Sequence, residues 1–157
     1  MALRDIRIDG DPILRKKSRE VTEINDRVLQ LLDDMVETMR HANGIGLAAP
    51  QIGVLKRVIV LDIAEEPIKA INPEIIQEEG EIKDIEGCLS VPNYRGYVDR
   101  PEKIKVRFLN EKGEEVTYNV EGYPARVFCH EIDHLDGILY TDKATEVFDE
   151  PKEDEEE

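Results

Sequence analysis

From Asn25 to His41 the apolar positions come round once per helical turn. Val28, Leu32, Met35 and Met39 recur at i, i+4, i+7 and i+11, with Leu31 and Val36 on the same side. This is the period of an amphipathic helix that buries one face. Asn25 or Thr22 is placed to cap its start, and Arg40, His41, Asn43 and Gly44 are stop signals. The segment before it is mixed and polar, with Pro12 disfavouring regular structure. After it the period shortens. Arg57–Asp62 is an apolar run of strand type, which Ile71-Asn72-Pro73 is expected to break, and weaker strands follow near Ile75–Ile76 and Glu81–Ile85. Ile104–Leu109 alternates strictly, turns through Asn110-Glu111-Lys112-Gly113 and returns as Glu115–Val120, which predicts a hairpin. A second helix is expected to start near Pro124, a residue suited to a first turn, and to stop at Gly137. Val127, Phe128, Ile132 and Leu135 leave it few solvent-loving positions, so it reads as buried. Strands clustered between two helices, rather than alternating with them, predict an α+β fold. The expected architecture is one small domain of mainly antiparallel strands around a buried helix, with the amphipathic helix near the N-terminus.

Composition narrows the classes. The 157 residues suit a single domain that buries its own core, and neither an internal repeat nor a Gly/Ser linker divides them. No stretch approaches the roughly 20 continuous apolar residues of a membrane span. Met1-Ala2-Leu3-Arg4-Asp5 lacks the apolar core of a signal peptide, so a cytoplasmic protein is expected. Net charge is −15, and residues 146–157 account for −7 of it, with eight acids against Lys152. The domain is therefore drawn as 1–148, with an acidic, disordered tail at 149–157. The remainder is still acidic, which excludes the basic footprint of a nucleic-acid binder. With two cysteines, Cys88 and Cys129, no structural disulfide is expected in a reducing compartment.

The chemistry concentrates on the second helix. His130-Glu131-Ile132-Asp133-His134 has the form His-Glu-x-x-His, and residues four apart lie one turn up the same helical face. Both imidazoles can then reach one metal ion, while Glu131, about 100° round the helix, can touch a water on it. Two satisfied core histidines are the bland alternative. Two at metal spacing, flanked by acids on an otherwise apolar helix, favour ligands. Two imidazoles leave a third protein ligand to be found. No histidine follows His134, and the acids that do (Asp136, Asp142, Glu146) are too near or in the acidic end. Upstream, Glu86-Gly87-Cys88-Leu89-Ser90 offers a thiol in a turn-like segment; Cys88 could also be a buried small hydrophobe or a nucleophile paired with histidine. Cys129 adjoins His130, faces another side of the helix and reads as core. A thiolate and two neutral imidazoles would leave one tetrahedral position for a water that the ion activates. Gly44-Ile45-Gly46-Leu47-Ala48-Ala49-Pro50-Gln51 superficially fits a dinucleotide fingerprint. It follows a helix instead of a strand, however, and Pro50 stands where the phosphate-binding helix should run. A helix cap and turn, or a bare backbone segment with which a peptide could pair as an added strand, remains.

Together, Gly44–Gln51, Glu86–Ser90 and His130–His134, with Val91-Pro92, Arg95 and Asp136-Gly137, resemble the peptide deformylases over roughly residues 3–145. The resemblance implies hydrolysis of the N-formyl group from the formyl-methionine of nascent polypeptides, with release of formate. This is a step in protein biosynthesis and in N-terminal methionine processing. Position by position it makes Cys88, His130 and His134 the metal ligands and Glu131 the general base and acid. Gln51, through its side-chain amide, and Leu89, through its backbone N–H, become donors to the oxyanion. Gly44-Ile45-Gly46 would pair with the substrate backbone, Ile45 would line the methionine pocket, and Arg95 would meet the peptide further along. The implied ion is Fe²⁺, with Zn²⁺, Ni²⁺ or Co²⁺ as substitutes, a set that thiolate–imidazole ligation accommodates. Implied partners are the formyl-methionyl nascent peptide and, transiently, the ribosome; direct nucleic-acid and membrane binding are not expected. The chain departs from the pattern twice. Cys129 stands where many members have Gln, and the chain after Asp142 is short and acidic where many have a long closing helix. The competing readings are a metallopeptidase sharing His-Glu-x-x-His, and a non-enzymatic structural metal module with Cys129 or Asp133 as a fourth ligand.

Overall fold

Asn25 decides where the first helix begins. Its backbone is extended and its side chain accepts from the Val28 amide at 3.1 Å, leaving Asp26–His41 as helix α1. The computed structural model describes residues 2–149. Along the chain follow strands β1 (Gly46–Ala48), β2 (Val58–Leu61), β3 (Ile68–Glu79), β4 (Ile82–Cys88), β5 (Val91–Arg100), β6 (Lys103–Leu109) and β7 (Glu115–Glu121). Helices α2 (Tyr123–Leu135) and α3 (Tyr140–Lys143) and strand β8 (Glu146–Asp149) complete the order. Short 3-10 turns occupy Pro12–Arg15 and Ala49–Ile52.

The strands form a five-stranded sheet, β1-β2-β3-β6-β7, and a three-stranded sheet, β4-β5-β8, antiparallel throughout. Helix α1 lays Val28, Leu31, Leu32, Met35 and Met39 against Leu47, Val58, Val60 and Ile71. Helix α2 packs Ala125, Val127, Phe128, Ile132 and Leu135 on the opposite set of side chains, Ala48, Ile59, Leu61 and Ala70. The five-stranded sheet thus has a helix on each face, because alternate residues of β1 and β2 point to opposite sides. Leu14, Val91, Val98, Leu139 and Tyr140 form a third, smaller core beneath the three-stranded sheet. Among the described residues no helix is long and apolar enough to cross a membrane.

The structure departs from or adds to the sequence pattern at four places. Ile71-Asn72-Pro73 does not end a strand. The register shifts between Ile71 and Glu74, Asn72 takes a positive φ of 52°, and β3 continues past a bulge that absorbs the missing proline N–H. The Asn72 amide then exchanges two hydrogen bonds with the Val21 backbone, at 2.8 and 2.9 Å. Second, Val91–Arg100, for which the pattern predicted no element, is a ten-residue strand. Third, regular strand in the glycine segment starts only at Gly46; Gly44 and Ile45 lead into it, with the Ile45 carbonyl accepting from Asp62 N at 2.8 Å. Fourth, Asp149, drawn as the first tail residue, closes β8 opposite Tyr94, and Phe148 packs on Tyr97 with ring centroids 5.7 Å apart. The rest of the acidic tail lies outside the described residues.

Candidate active site

Helix α2 enters with Pro124 in its first turn and buries ten of its thirteen residues, among them Arg126, His130, Glu131 and His134. Four-residue spacing brings the two imidazoles edge to face, with ring centroids 5.1 Å apart and planes 72° from parallel. Facing them, β4 ends at Cys88, and the two-residue turn Leu89-Ser90 sends the chain back as β5, with Cys88 opposite Val91. One ligand atom from each of Cys88, His130 and His134 lies within 4.8 Å of the others, and Cys88 Sγ is 3.3 Å from His134 Nε2. Among the described residues this is the one such group of three. Cys129 belongs to the main core, where burial pushes its thiol up to about 11. Asp133 is engaged by Arg100 at 2.5 Å and by Lys143. Neither candidate for a closing fourth ligand is therefore turned to the site.

A cavity of about 530 Å³ opens over this group. Of the ten site residues expected from the sequence, nine line it: Gly44, Ile45, Gly46, Gln51, Cys88, Leu89, Arg95, His130 and Glu131. His134 lies behind them, 1% exposed. Two glycines have packing reasons to be there. A Cβ on Gly46 would sit 2.6 Å from Glu131 Oε2, and one on Gly44 would sit 2.7 Å from Leu89 Cδ1. The bare backbone thus admits the Glu131 carboxylate on one side and the Leu89 side chain on the other.

The polar groups are oriented by partners that the sequence reading passed over. Gln51 accepts from Ala48 N at 2.9 Å, which turns its NH₂ group toward Ser90 Oγ at 3.0 Å and Cys88 Sγ at 3.6 Å. Glu86 accepts from His130 Nδ1 at 2.9 Å, so His130 presents Nε2 to the site. Arg100 reaches both Glu86 oxygens, at 2.8 and 2.9 Å, and Arg126 adds a bond at 2.7 Å. Burial would raise the Glu86 carboxyl, but the bonds from Arg100 and His130 outweigh it and hold the group well below the carboxylate range. Glu86 and Ser90 stand in the glycine–cysteine segment; nothing in sequence pointed to Arg100 or Arg126.

Burial lowers His134 well below the ordinary imidazole value, with nearby His130 adding to the effect, which favours the neutral ring. His130 goes the other way: its bonds to Cys88 and Glu86 overcome burial and favour positive charge there. Burial raises Glu131 to about 7, and its Oε1 has no hydrogen-bond partner among the described residues. A soft thiol, two imidazoles and a surrounding that favours positive charge fit a divalent metal ion.

The sequence pattern of the family described as polypeptide deformylase matches residues 3–149, nearly the whole chain. The chain belongs to this family. Peptide deformylase 1 of Clostridium acetobutylicum is 54% identical over 146 residues, 93% of this chain and 97% of that protein. The peptide deformylase of Caldicellulosiruptor bescii is 59% identical, covering 91% of this chain and 86% of its own. The crystal structure of the Thermotoga maritima peptide deformylase superposes with a TM-score of 0.90 at 41% identity, over 93% of this chain and all of that one. As a peptide deformylase the chain is a metal-dependent amide hydrolase that removes the formyl group from the N-terminal formyl-methionine of nascent peptides. The α+β expectation agrees with these relatives.

Proposed function

We propose that Cys88, His130 and His134 hold one divalent ion and that Glu131 carries the proton in formyl hydrolysis. The observation that carries this reading is the convergence of the three ligand atoms within 4.8 Å, with Cys88 and His130 lining the cavity and His134 behind them. When bound, the ion supplies Lewis acidity and an activated water nucleophile near neutral pH. Glu131, raised to about 7 by burial, is poised to accept a proton and return it to the departing amine. The Gln51 NH₂ group, held by Ser90, and the Leu89 backbone N–H donate to the oxygen that gains charge as the formyl carbon becomes tetrahedral. Gly44, Ile45 and Gly46 pair with the peptide backbone, Ile45 lines the methionine pocket, and Arg95 meets the peptide further along the cavity.

The reading takes Fe²⁺ as the ion, with Zn²⁺, Ni²⁺ or Co²⁺ as substitutes; one thiolate with two imidazoles suits each of them. It takes the cytoplasm as the place of action and includes transient association with the ribosome. Purification without oxygen, metal analysis and a formate-release assay on a formyl-methionyl peptide test it together. One ion per chain, with turnover lost on chelation and restored by Fe²⁺, is the expected result. Formate release that survives complete metal removal would overturn it.

A further inference from the structure

Arg126 stands one turn before His130 on α2, with its side chain 7% exposed. It lines the substrate cavity, yet its guanidinium is spent on the far side. Nη1 donates to Glu86 Oε2 at 2.7 Å and to the Val98 carbonyl at 2.9 Å, and Nη2 donates to the Ile82 carbonyl at 2.7 Å. One side chain therefore ties α2 to both β4 and β5. It also braces the carboxylate whose other oxygen accepts the hydrogen bond from His130 Nδ1.

Arg100 binds both Glu86 oxygens through Nε and Nη2 and sends Nη1 to Asp133, so its hold on Glu86 comes from β5. Among the described residues Arg126 has Glu86 as its one carboxylate partner, and two backbone carbonyls fix its fork in place. We infer that Arg126 is a positioning residue of the metal centre: it holds Glu86 so that His130 presents Nε2 at a fixed angle and donor strength. It also makes one side chain serve both as cavity wall and as support for a ligand. Partners behind metal-bound histidines typically change metal affinity by about 10- to 100-fold when removed.

This inference rests on His130 being a metal ligand, so His130→Ala belongs in the same series. The measurements are metal release to a chelator and the visible spectrum of the Co²⁺-loaded protein, with kcat and KM alongside. Arg126→Met, apolar and of similar reach, is expected to release metal about 10- to 100-fold faster and to shift the Co²⁺ bands. Arg126→Lys keeps the charge but not the planar fork, and should fall between the two. It also serves as the test if the methionine variant does not fold. In a Glu86→Gln background Arg126→Met should have little further effect, because the path runs through Glu86. A KM increase alone, with release rate and Co²⁺ spectrum unchanged, would reduce Arg126 to cavity wall and overturn the inference. Full additivity with Glu86→Gln would overturn it too. If His130→Ala kept its metal, the ligand reading itself would fall.

Discussion

The two long helices bury side chains for opposite reasons. Helix α1 sets Val28, Leu31, Leu32, Met35 and Met39 into an apolar core and leaves its other face wet. Its buried acid, Asp34, sits at the margin, where Arg4, Gln30 and the Ala2 amide bind it and clamp the N-terminal segment to the helix. Helix α2 is wrapped on nearly all sides and hides Arg126, His130, Glu131 and His134 among apolar neighbours. Removing apolar surface from water stabilises the first helix directly. The second must offset the desolvation of its polar groups, and does so for Arg126 and His130 through Glu86, itself held by Arg100. Glu131 Oε1 and His134 Nδ1 have no hydrogen-bond partner among the described residues. Apolar stabilisation is therefore concentrated at α1 and the proposed chemistry at α2, so substitutions in the two should fail in different ways.

Glu131→Gln should show the largest contrast. It should lower turnover by about 10²–10⁴ while the protein keeps its fold and its metal. The same variant has a pH signature in the metal-free protein. Folding raises the Glu131 carboxyl from 4.5 to about 7, so the unfolded chain loses that proton first as pH rises. Stability should then fall between pH 4.5 and 7, by an amount on the order of 3 kcal/mol, and level off above. Urea unfolding at several pH values should show that slope reduced in Glu131→Gln; equal slopes would mean the carboxylate is not desolvated as described. Gln51→Ala should come next, lowering kcat by about 10²–10³ with less change in KM, as expected of a donor acting in the transition state. A change confined to KM would assign Gln51 to ground-state peptide binding. On α1, Met35→Ala should cost about 2–5 kcal/mol in denaturant unfolding yet leave kcat/KM per folded molecule within about twofold. A large kinetic loss there would erase the division between the helices.

That division was only half legible in the sequence. Periodicity and a capping asparagine gave α1 because the information is local to about 16 residues. The β6–β7 hairpin was legible for the same reason, through alternation and an Asn–Gly-bounded turn. The His130–His134 face of α2 was readable because the motif's two histidines are one turn apart. Strand β5 was hidden by Pro92, Asn93 and Gly96, and by a buried Arg100 that reads as an exposed charge until Glu86 is beside it. The partners of Glu86 lie 14, 40 and 44 residues away, a separation that no local pattern reports. At Asn72-Pro73 the rule that proline breaks a strand lost to a bulge held by Val21.

The smallest expected effect concerns residues 150–157, which hold six acids against Lys152. Ending the chain at Asp149 should leave the rate on short formyl-peptides within about twofold. Co-sedimentation with ribosomes should stay the same or rise, most clearly at low salt. A drop would mean that the acidic end recognises a basic ribosomal surface.

Metal content per chain, measured side by side in four variants, bears most directly on the claim that α2 and the end of β4 together build the catalytic centre. Cys88→Ser, His130→Ala and His134→Ala should each lose the ion, while Cys129→Ser, altered only in the core, should retain close to one. Retention in Cys88→Ser together with loss in Cys129→Ser would contradict the account at its centre.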